Sequence, residues 1–330
     1  MRRKLLLLFL TSVVGLAACE IGLRLLHLAP PTLRAYVGEF ENGPLNNFVV
    51  DPFTGWCSRP NHEFVWKIEG RDVVYRSDAR GRRIGEQAGP DHGSTLLAAG
   101  DSFGFGIGVT HEESFAARIA DQLGGWKLEN IAMPGYGLDQ IWLSIREALK
   151  EETPDLLLVG LYPKDFDRSL TAYRELERLN KPLFRLEGGE LRLQAAADRP
   201  SSLMLWLERS SRLVSAYRSA DRRLGWKLGI GEWWSLNRAF LDAIRAECDQ
   251  AGCPVLFLFL PSNRWQRFPA LEEYMQACGA NFVNPIQISP DRPDGAFFQS
   301  DPHFTTKGHA LVADWTTAWI EEHRGKLLRK

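Results

Sequence analysis

Net charge, cysteine and repeats are what this 330-residue chain has least of. Forty Lys and Arg stand against 41 Asp and Glu, a formal charge of -1. A nucleic-acid binder shows a basic face or a high pI, and neither appears globally, so no nucleic-acid partner is expected. Cysteines number 5. No pair among Cys57, Cys248, Cys253 and Cys278 has zinc-ligand spacing with histidines, which argues against a metal site. Cys248 and Cys253 could pair across a helix end in an oxidising compartment, or stand as buried free thiols. Without internal repeats or low-complexity stretches, the length fits one large domain or two modest ones with a sizeable core. What is present is ordinary for a globular protein, with 45% hydrophobic and 25% charged residues. The 11 Trp residues read mainly as core.

The N-terminus reads as a targeting segment. Met1-Arg2-Arg3-Lys4 is a positive region, and Leu5 to Ala18 is almost continuously apolar. One reading is an uncleaved signal anchor running to about Leu28. A second is a lipoprotein signal, Leu16-Ala17-Ala18-Cys19, with Cys19 lipidated; a third is a cleaved signal peptide. Ile21, Leu23, Leu25, Leu26 and Leu28 continue the apolar pattern past Cys19, which favours the anchor. Glu20 and Arg24 would lie on one face of that helix near the exit interface. Each reading exports the body of the protein. In the favoured anchored form it would be held at a bacterial membrane, periplasmic or extracellular, with the basic cluster cytoplasmic.

Residues 29–92 form an extension rich in Pro, Gly and aromatics. Within it, Glu63–Ile68 and Val73–Tyr75 around Glu69-Gly70-Arg71-Asp72 predict a small hairpin. From 93 to 330 the pattern alternates. Strands are expected at Leu96–Ala99, Trp126–Ala132, Leu156–Tyr162, Val255–Leu260 and Asn281–Val283. Helices are expected from the capping box Thr110-His111-Glu112-Glu113 to Leu123, over Leu138–Glu151 and over Leu236–Ala251. A last helix should run from about Thr306, with Leu311, Val312, Trp315 and Trp319 inward. Asp167 to about Trp234 interrupts the rhythm with a hairpin near Gly188-Gly189 and a polar helix-like segment, Leu203–Lys227. The expected fold is α/β, a three-layer doubly wound parallel sheet with this stretch as an insertion. In such sheets, sites form at the C-terminal ends of strands.

Two motifs sit at such places. Gly100-Asp101-Ser102 follows the first strand, and Asp301-Pro302-His303 lies in the loop before the last helix. A serine hydroxyl is a weak nucleophile unless a base accepts its proton and a third group orients that base. Of the seven histidines, His303 alone has an aspartate two residues before it in a late loop.

Taken in order, the motifs resemble those of the SGNH (GDSL) hydrolases. Gly100-Asp101-Ser102-Phe103-Gly104-Phe105-Gly106 resembles block I. Asn130-Ile131-Ala132-Met133-Pro134-Gly135-Tyr136-Gly137 resembles block II. Asp301-Pro302-His303 with Thr306-Lys307-Gly308 resembles block V. The resemblance spans roughly 93–325, the insertion excepted. It implies the SGNH, flavodoxin-like fold and a serine esterase with no metal and no organic cofactor. Ser102 would be nucleophile and first oxyanion donor through its N–H, Gly135 N–H the second donor, His303 the base and then the acid, and Asp301 its orienting carboxylate. Asp101 would be structural support. Block III departs from the pattern. In Gly160-Leu161-Tyr162-Pro163-Lys164-Asp165, Lys164 stands where the family has the Asn that serves as a third donor. Lys164 could substitute as a point charge or point to solvent. The expected activity is acyl-ester hydrolysis, with deacetylation of a cell-surface glycan as the favoured substrate reading. The alternatives are O-acyl transfer to an exopolysaccharide and a non-catalytic protein that kept the fold.

Overall fold

The computed structural model describes residues 2–28, 47–86, 93–171, 173–174, 179–194 and 210–328. The parts of the expected extension at 29–46 and 87–92, and of the expected insertion at 172, 175–178 and 195–209, including the start of its helix, lie outside these.

The chain begins with helix α1 (Arg2–Leu25), followed by the ribbon β1 (Phe48–Asp51) and β2 (Gly55–Ser58) and the hairpin β3 (Glu63–Ile68) and β4 (Arg71–Ser77). Then come β5 (Arg83–Ile84), β6 (Thr95–Ala99), α2 (Ser102–Phe105), α3 (Phe115–Gln122), β7 (Lys127–Asn130), α4 (Leu138–Glu151), β8 (Leu156–Leu161) and α5 (Asp165–Arg168). The inserted stretch holds β9 (Tyr173–Arg174), β10 (Leu179–Asn180), β11 (Phe184–Glu187), β12 (Glu190–Leu193) and α6 (Arg212–Leu228). The chain closes with α7 (Glu232–Ala251), β13 (Val255–Phe259), α8 (Pro269–Ala277), β14 (Asn281–Val283), α9 (Pro285–Ile288) and α10 (Thr306–Leu327).

Eight strands form one sheet in the order β14-β13-β8-β6-β7-β5-β4-β3. The five from β14 to β7 are parallel, as the apolar runs predict. The three contributed by the extension are antiparallel. The sheet is therefore mixed rather than wholly parallel, because the expected hairpin pairs through β5 with the β7 edge. Alternation along the strands builds the two covering layers. Leu97, Ala99, Leu157, Val159, Phe257 and Phe259 face the core under α4, α7 and α8. Leu96, Ala98, Leu156, Leu158, Leu256 and Leu258 face the one under α3 and α10. Strand β6 has β7 on one side and β8 on the other, so the chain order reverses at its C-terminal end.

Helix α4 runs as expected, and β7 is shorter than expected at Lys127–Asn130. Two helix readings need correction. The helix expected to be capped at Thr110 is capped four residues later, by Ser114, whose Oγ accepts from Ala117 N–H, and starts at Phe115. Glu113 does accept from Thr110 N–H at 2.9 Å, but its carboxylate also takes Arg71 and Thr306. The box thus closes a turn rather than starting a helix. In α10 the buried face is Gly308, His309, Val312, Ala313, Thr316 and Ile320. Val312 is buried and half-buried Trp319 packs against the core, as expected, whereas Leu311 and Trp315 are only half-buried. Small and polar groups, not the large aromatics, sit nearest α3, where the Nδ1 of buried His309 accepts from Phe115 N–H at 3.1 Å. Cys248 and Cys253 are buried free thiols.

Candidate active site

The nucleophile candidate is set by the end of β6. All five residues of that strand are buried. Gly100 follows with φ 154°, and a Cβ there would come within 3.2 Å of Gly160 O on β8. Asp101 then caps α2, its Oδ1 accepting from Phe103 N–H at 2.9 Å. Ser102 is therefore the first residue of a helix, where N–H groups have no intrahelical partner.

Ser102 Oγ lies 2.7 Å from His303 Nε2, and His303 Nδ1 lies 2.5 Å from Asp301 Oδ1. The same Asp301 oxygen accepts from His303 N–H at 2.9 Å, which closes the loop on itself. With Nδ1–H donating to the carboxylate, Nε2 is left to accept the serine hydroxyl proton. Burial works to raise the Asp301 pKa, but the hydrogen bonds from His303, the imidazole charge and the Lys164 ammonium hold it below the usual carboxylate range. Phe103 packs on His303, Tyr162 and Phe304, with centroids 4.8, 4.4 and 5.0 Å away. The arrangement can carry a proton from Ser102 to His303 while Asp301 stabilises the resulting imidazolium.

Gly135 lies in the loop after β7 with φ 85°, a conformation that favours glycine. Met133 N–H donates to Gly100 O at 3.0 Å, so this loop is tied to the nucleophile turn. Asn130 strengthens the tie, its Nδ2 donating to Gly104 O at 3.1 Å and its Oδ1 accepting from Ala132 N–H at 3.0 Å. Lys164 is half-buried at the start of α5, close enough for its charge to act on Asp301.

Behind Ser102 lies a charge cluster that motif reading reduced to structural support by Asp101. Arg168 Nη1 donates to Asp101 Oδ2 and Asp165 Oδ1, each at 2.8 Å, and to Tyr136 O at 3.0 Å. Both carboxylates are fully buried. Burial, then the neighbouring Asp101 charge, push Asp165 well up. Burial lowers Arg168, but the two carboxylates outweigh it and raise it. One guanidinium thus joins the nucleophile turn, the Gly135 loop and α5.

The extension supplies the other residues that the sequence did not disclose. Buried Arg83 lies against the faces of Tyr75 and Phe105, donates to Gly106 O at 2.9 Å and Val109 O at 2.7 Å, and bonds Phe105 O. It holds the carbonyls at the C-terminal end of α2. Burial lowers its pKa to about 10. Trp56 Nε1 donates to Pro134 O at 3.2 Å, and Tyr136 O–H donates back to Trp56 O at 2.6 Å. Glu69, at the hairpin tip, accepts from Ser300 N–H at 2.7 Å and Ser300 Oγ–H at 2.9 Å, next to Asp301. Arg71 donates to Thr306 Oγ1 at 3.0 Å. The loops that carry Ser102, Gly135 and the Asp301–His303 pair are thereby held by residues 56–83. A Trp, a Glu and two Arg in a Pro- and Gly-rich stretch carry no motif, so only their partners reveal them.

An open cavity of about 580 Å³, lined by Arg267, Glu272, Met275, Gln276 and Phe282 among others, lies beside α8 and β14 and includes none of these residues.

No family model and no curated protein matches the chain. Solved structures do resemble it. One is the esterase EstA from Pseudoalteromonas sp., inhibited by monoethylphosphonate. It is 12% identical over 71% of this chain and 100% of its own, with TM-score 0.43. Another is TesA, 14% identical over 69% and 99%, with TM-score 0.43. A third is a catalytic mutant of Axe2, an acetylxylan esterase from Geobacillus stearothermophilus. It is 13% identical over 72% and 97%, with TM-score 0.38.

Proposed function

We propose that the chain is a serine esterase of SGNH type that cleaves acyl esters through an acyl-Ser102 intermediate. The observation that supports this reading most is the unbroken relay from Ser102 Oγ through His303 to Asp301. Ser102 Oγ attacks the ester carbonyl carbon as its proton passes to His303 Nε2. The oxyanion is met by the N–H groups of Ser102 and Gly135. His303 then gives the proton to the departing alcohol oxygen, which leaves the acyl group on Ser102. Water attacks the acyl carbon as it gives a proton to His303, which returns that proton to Ser102 Oγ as the acyl–Oγ bond breaks and the acid leaves. A serine-reactive phosphonate tests this directly. Mass increase on Ser102 of the folded wild type, and none on Ser102→Ala, is expected; an unlabelled wild type would overturn the reading.

Lys164 favours a second reading, a non-catalytic protein, because a flexible ammonium replaces a fixed amide donor. Losing one such donor costs about 2.7–4 kcal/mol of transition-state stabilisation. The proximity of Lys164 to Asp301 supports its acting at the site as a charge instead. Ester cleavage by the wild type, with Lys164→Asn changing rate rather than creating it, is expected. A dead wild type revived by Lys164→Asn would decide for the second reading.

The proposal extends to location and substrate. Helix α1 contains a 23-residue span, Arg3–Leu25, with mean hydropathy 2.2, long and apolar enough to cross a bilayer. We read it as an anchor that leaves the catalytic body outside a bacterial inner membrane, where acetyl or short acyl esters of a surface glycan are the substrate class. Product analysis with and without a glycan acceptor separates hydrolysis from acyl transfer.

A further inference from the structure

Helix α6 carries an apolar stripe that nothing among the described residues covers. Beyond half-buried Leu213, the exposed residues Tyr217, Ala220, Leu224 and Leu228 recur at helical spacing and share one side. Tyr217 is 62% exposed, Leu224 45% and Leu228 59%, and Ile230 just beyond is 50% exposed. Exposed Arg223 and Lys227 flank the stripe. The helix holds five basic residues, Arg212, Arg218, Arg222, Arg223 and Lys227, against the single acid Asp221. A contiguous apolar patch rimmed by charge marks a contact surface.

The neighbour of this helix indicates what the surface meets. Glu20, on α1, accepts from Ser211 Oγ–H at 3.0 Å, Arg212 N–H at 3.1 Å and Leu213 N–H at 3.0 Å, and so caps α6. Arg24 pairs with Glu20 at 2.8 Å and donates to Ser210 O at 2.6 Å. Arg212 Nη1 returns the contact to Leu23 O at 3.1 Å and Leu28 O at 2.7 Å. Glu20 and Arg24 are the two charges in the apolar run from Leu5 to Leu26, and both serve this joint. Leu25, Leu26 and Leu28, all exposed, extend the apolar surface at the end of α1.

We propose that α6 lies on the bilayer as an interfacial helix, its stripe at the boundary of headgroups and acyl chains and its basic flank toward anionic headgroups. This rests on the reading of α1 as a membrane anchor. The occupant of the stripe is the lipid surface itself: the stripe starts where the apolar α1 ends, and its charge is complementary to anionic lipid. At 17 residues the helix runs about 25 Å along that surface. The body is then held at two places and takes a fixed tilt, rather than swinging on a single tether.

The test uses the full chain in phosphatidylethanolamine–phosphatidylglycerol vesicles, with benzoylphenylalanine placed singly at Val14 in α1, at Leu224, at Tyr217 as a second probe of the stripe, and at exposed Val65 on the hairpin. After irradiation, mass spectrometry should find phospholipid adducts at Val14, Leu224 and Tyr217 and none at Val65. Adducts at Val14 with none at Leu224 or Tyr217 overturn the interfacial helix and leave the anchor standing. Absence of adducts at Val14 overturns both. Adducts at Val65 as abundant as those at Leu224 would make the lipid contact nonspecific and also overturn it.

Discussion

Two regions lie outside the five-stranded parallel core, and they relate to the site in opposite ways. The extension, from Phe48 to Ile84, continues the sheet and reaches three loops of the candidate site, through Trp56 to Pro134, Glu69 to Ser300 and Arg83 to the end of α2. The insertion, from Tyr173 to Leu228, packs on the layer of α4 and α7. Its Phe184 sits against Trp142 and Phe240, and its Lys181 forms a buried ion pair with Asp139 at the start of α4. The extension uses directional hydrogen bonds to loop backbone, whereas the insertion relies chiefly on apolar packing against helices. The first fixes geometry, so its loss should reach turnover. The second adds buried area, so its loss should reach stability.

The sharpest separation comes from Phe184→Ala. It should lower unfolding free energy by about 3–5 kcal/mol, as large-to-small core changes do, and leave kcat of the folded fraction unchanged. A fall in kcat at a temperature where the variant is folded would erase the distinction. Acid should next probe the extension through Arg83, whose charge acts on two histidines of the core. Burial first, then the Arg83 charge, lower the His111 pKa to about 4, and burial with the same charge lowers His309. Unfolded, each histidine titrates near about 6.5, so the unfolded chain binds more protons between the two values. The stability that His111 contributes is full above about 6.5 and falls as pH drops toward about 4, by about 3 kcal/mol in all. Urea midpoints of wild type should fall over that window, and those of His111→Asn should fall less. Parallel curves would mean that His111 is not the group responsible.

Glu69→Ala should act on the rate. Releasing Ser300 loosens Asp301 and His303, and misplacement of about 1 Å can cost about 10²-fold. The loss should appear in kcat with KM little changed, and Glu69→Gln, which can still accept from Ser300, should recover most of it. Equal losses in both variants would point to charge rather than position. The smallest effect expected is that of Trp56→Phe, which removes the donor to Pro134 O but keeps most of the ring. One neutral hydrogen bond contributes about 1 kcal/mol, and a calorimetric scan with a kcat measurement would show how it divides between stability and rate.

Legibility followed the range of the interactions involved. Strands β6, β8 and β13 could be read because burial on both faces writes a continuous apolar run. Ser102, Asp301 and His303 could be read because each is bound to a local turn with its own short motif. The start of helix α3 is not legible locally because Glu113, which completes the sequence box, closes a turn that is also tied to Arg71, 42 residues earlier, and Thr306, 193 residues later. Glu69 meets Ser300 across 231 residues and Trp56 meets Pro134 across 78, so no window of sequence contains either pair. The buried Arg168 between Asp101 and Asp165 is the intermediate case. Both acids lie within short motifs, but the cation joining them sits in a short helix whose sequence, Asp165-Phe166-Asp167-Arg168, reads as an exposed polar turn.

The cap that Glu20 places on α6 bears on how a water-soluble fragment should be cut. Starting the chain at residue 93 would discard Trp56, Glu69, Arg71 and Arg83, and with them the outer hold on each reactive loop. Starting just before Phe48 keeps all four but strips the carboxylate from the first amides of α6. Such a fragment should regain order there if an acidic side chain is grafted near Ser211, replacing from within the helix what the membrane segment supplied from without.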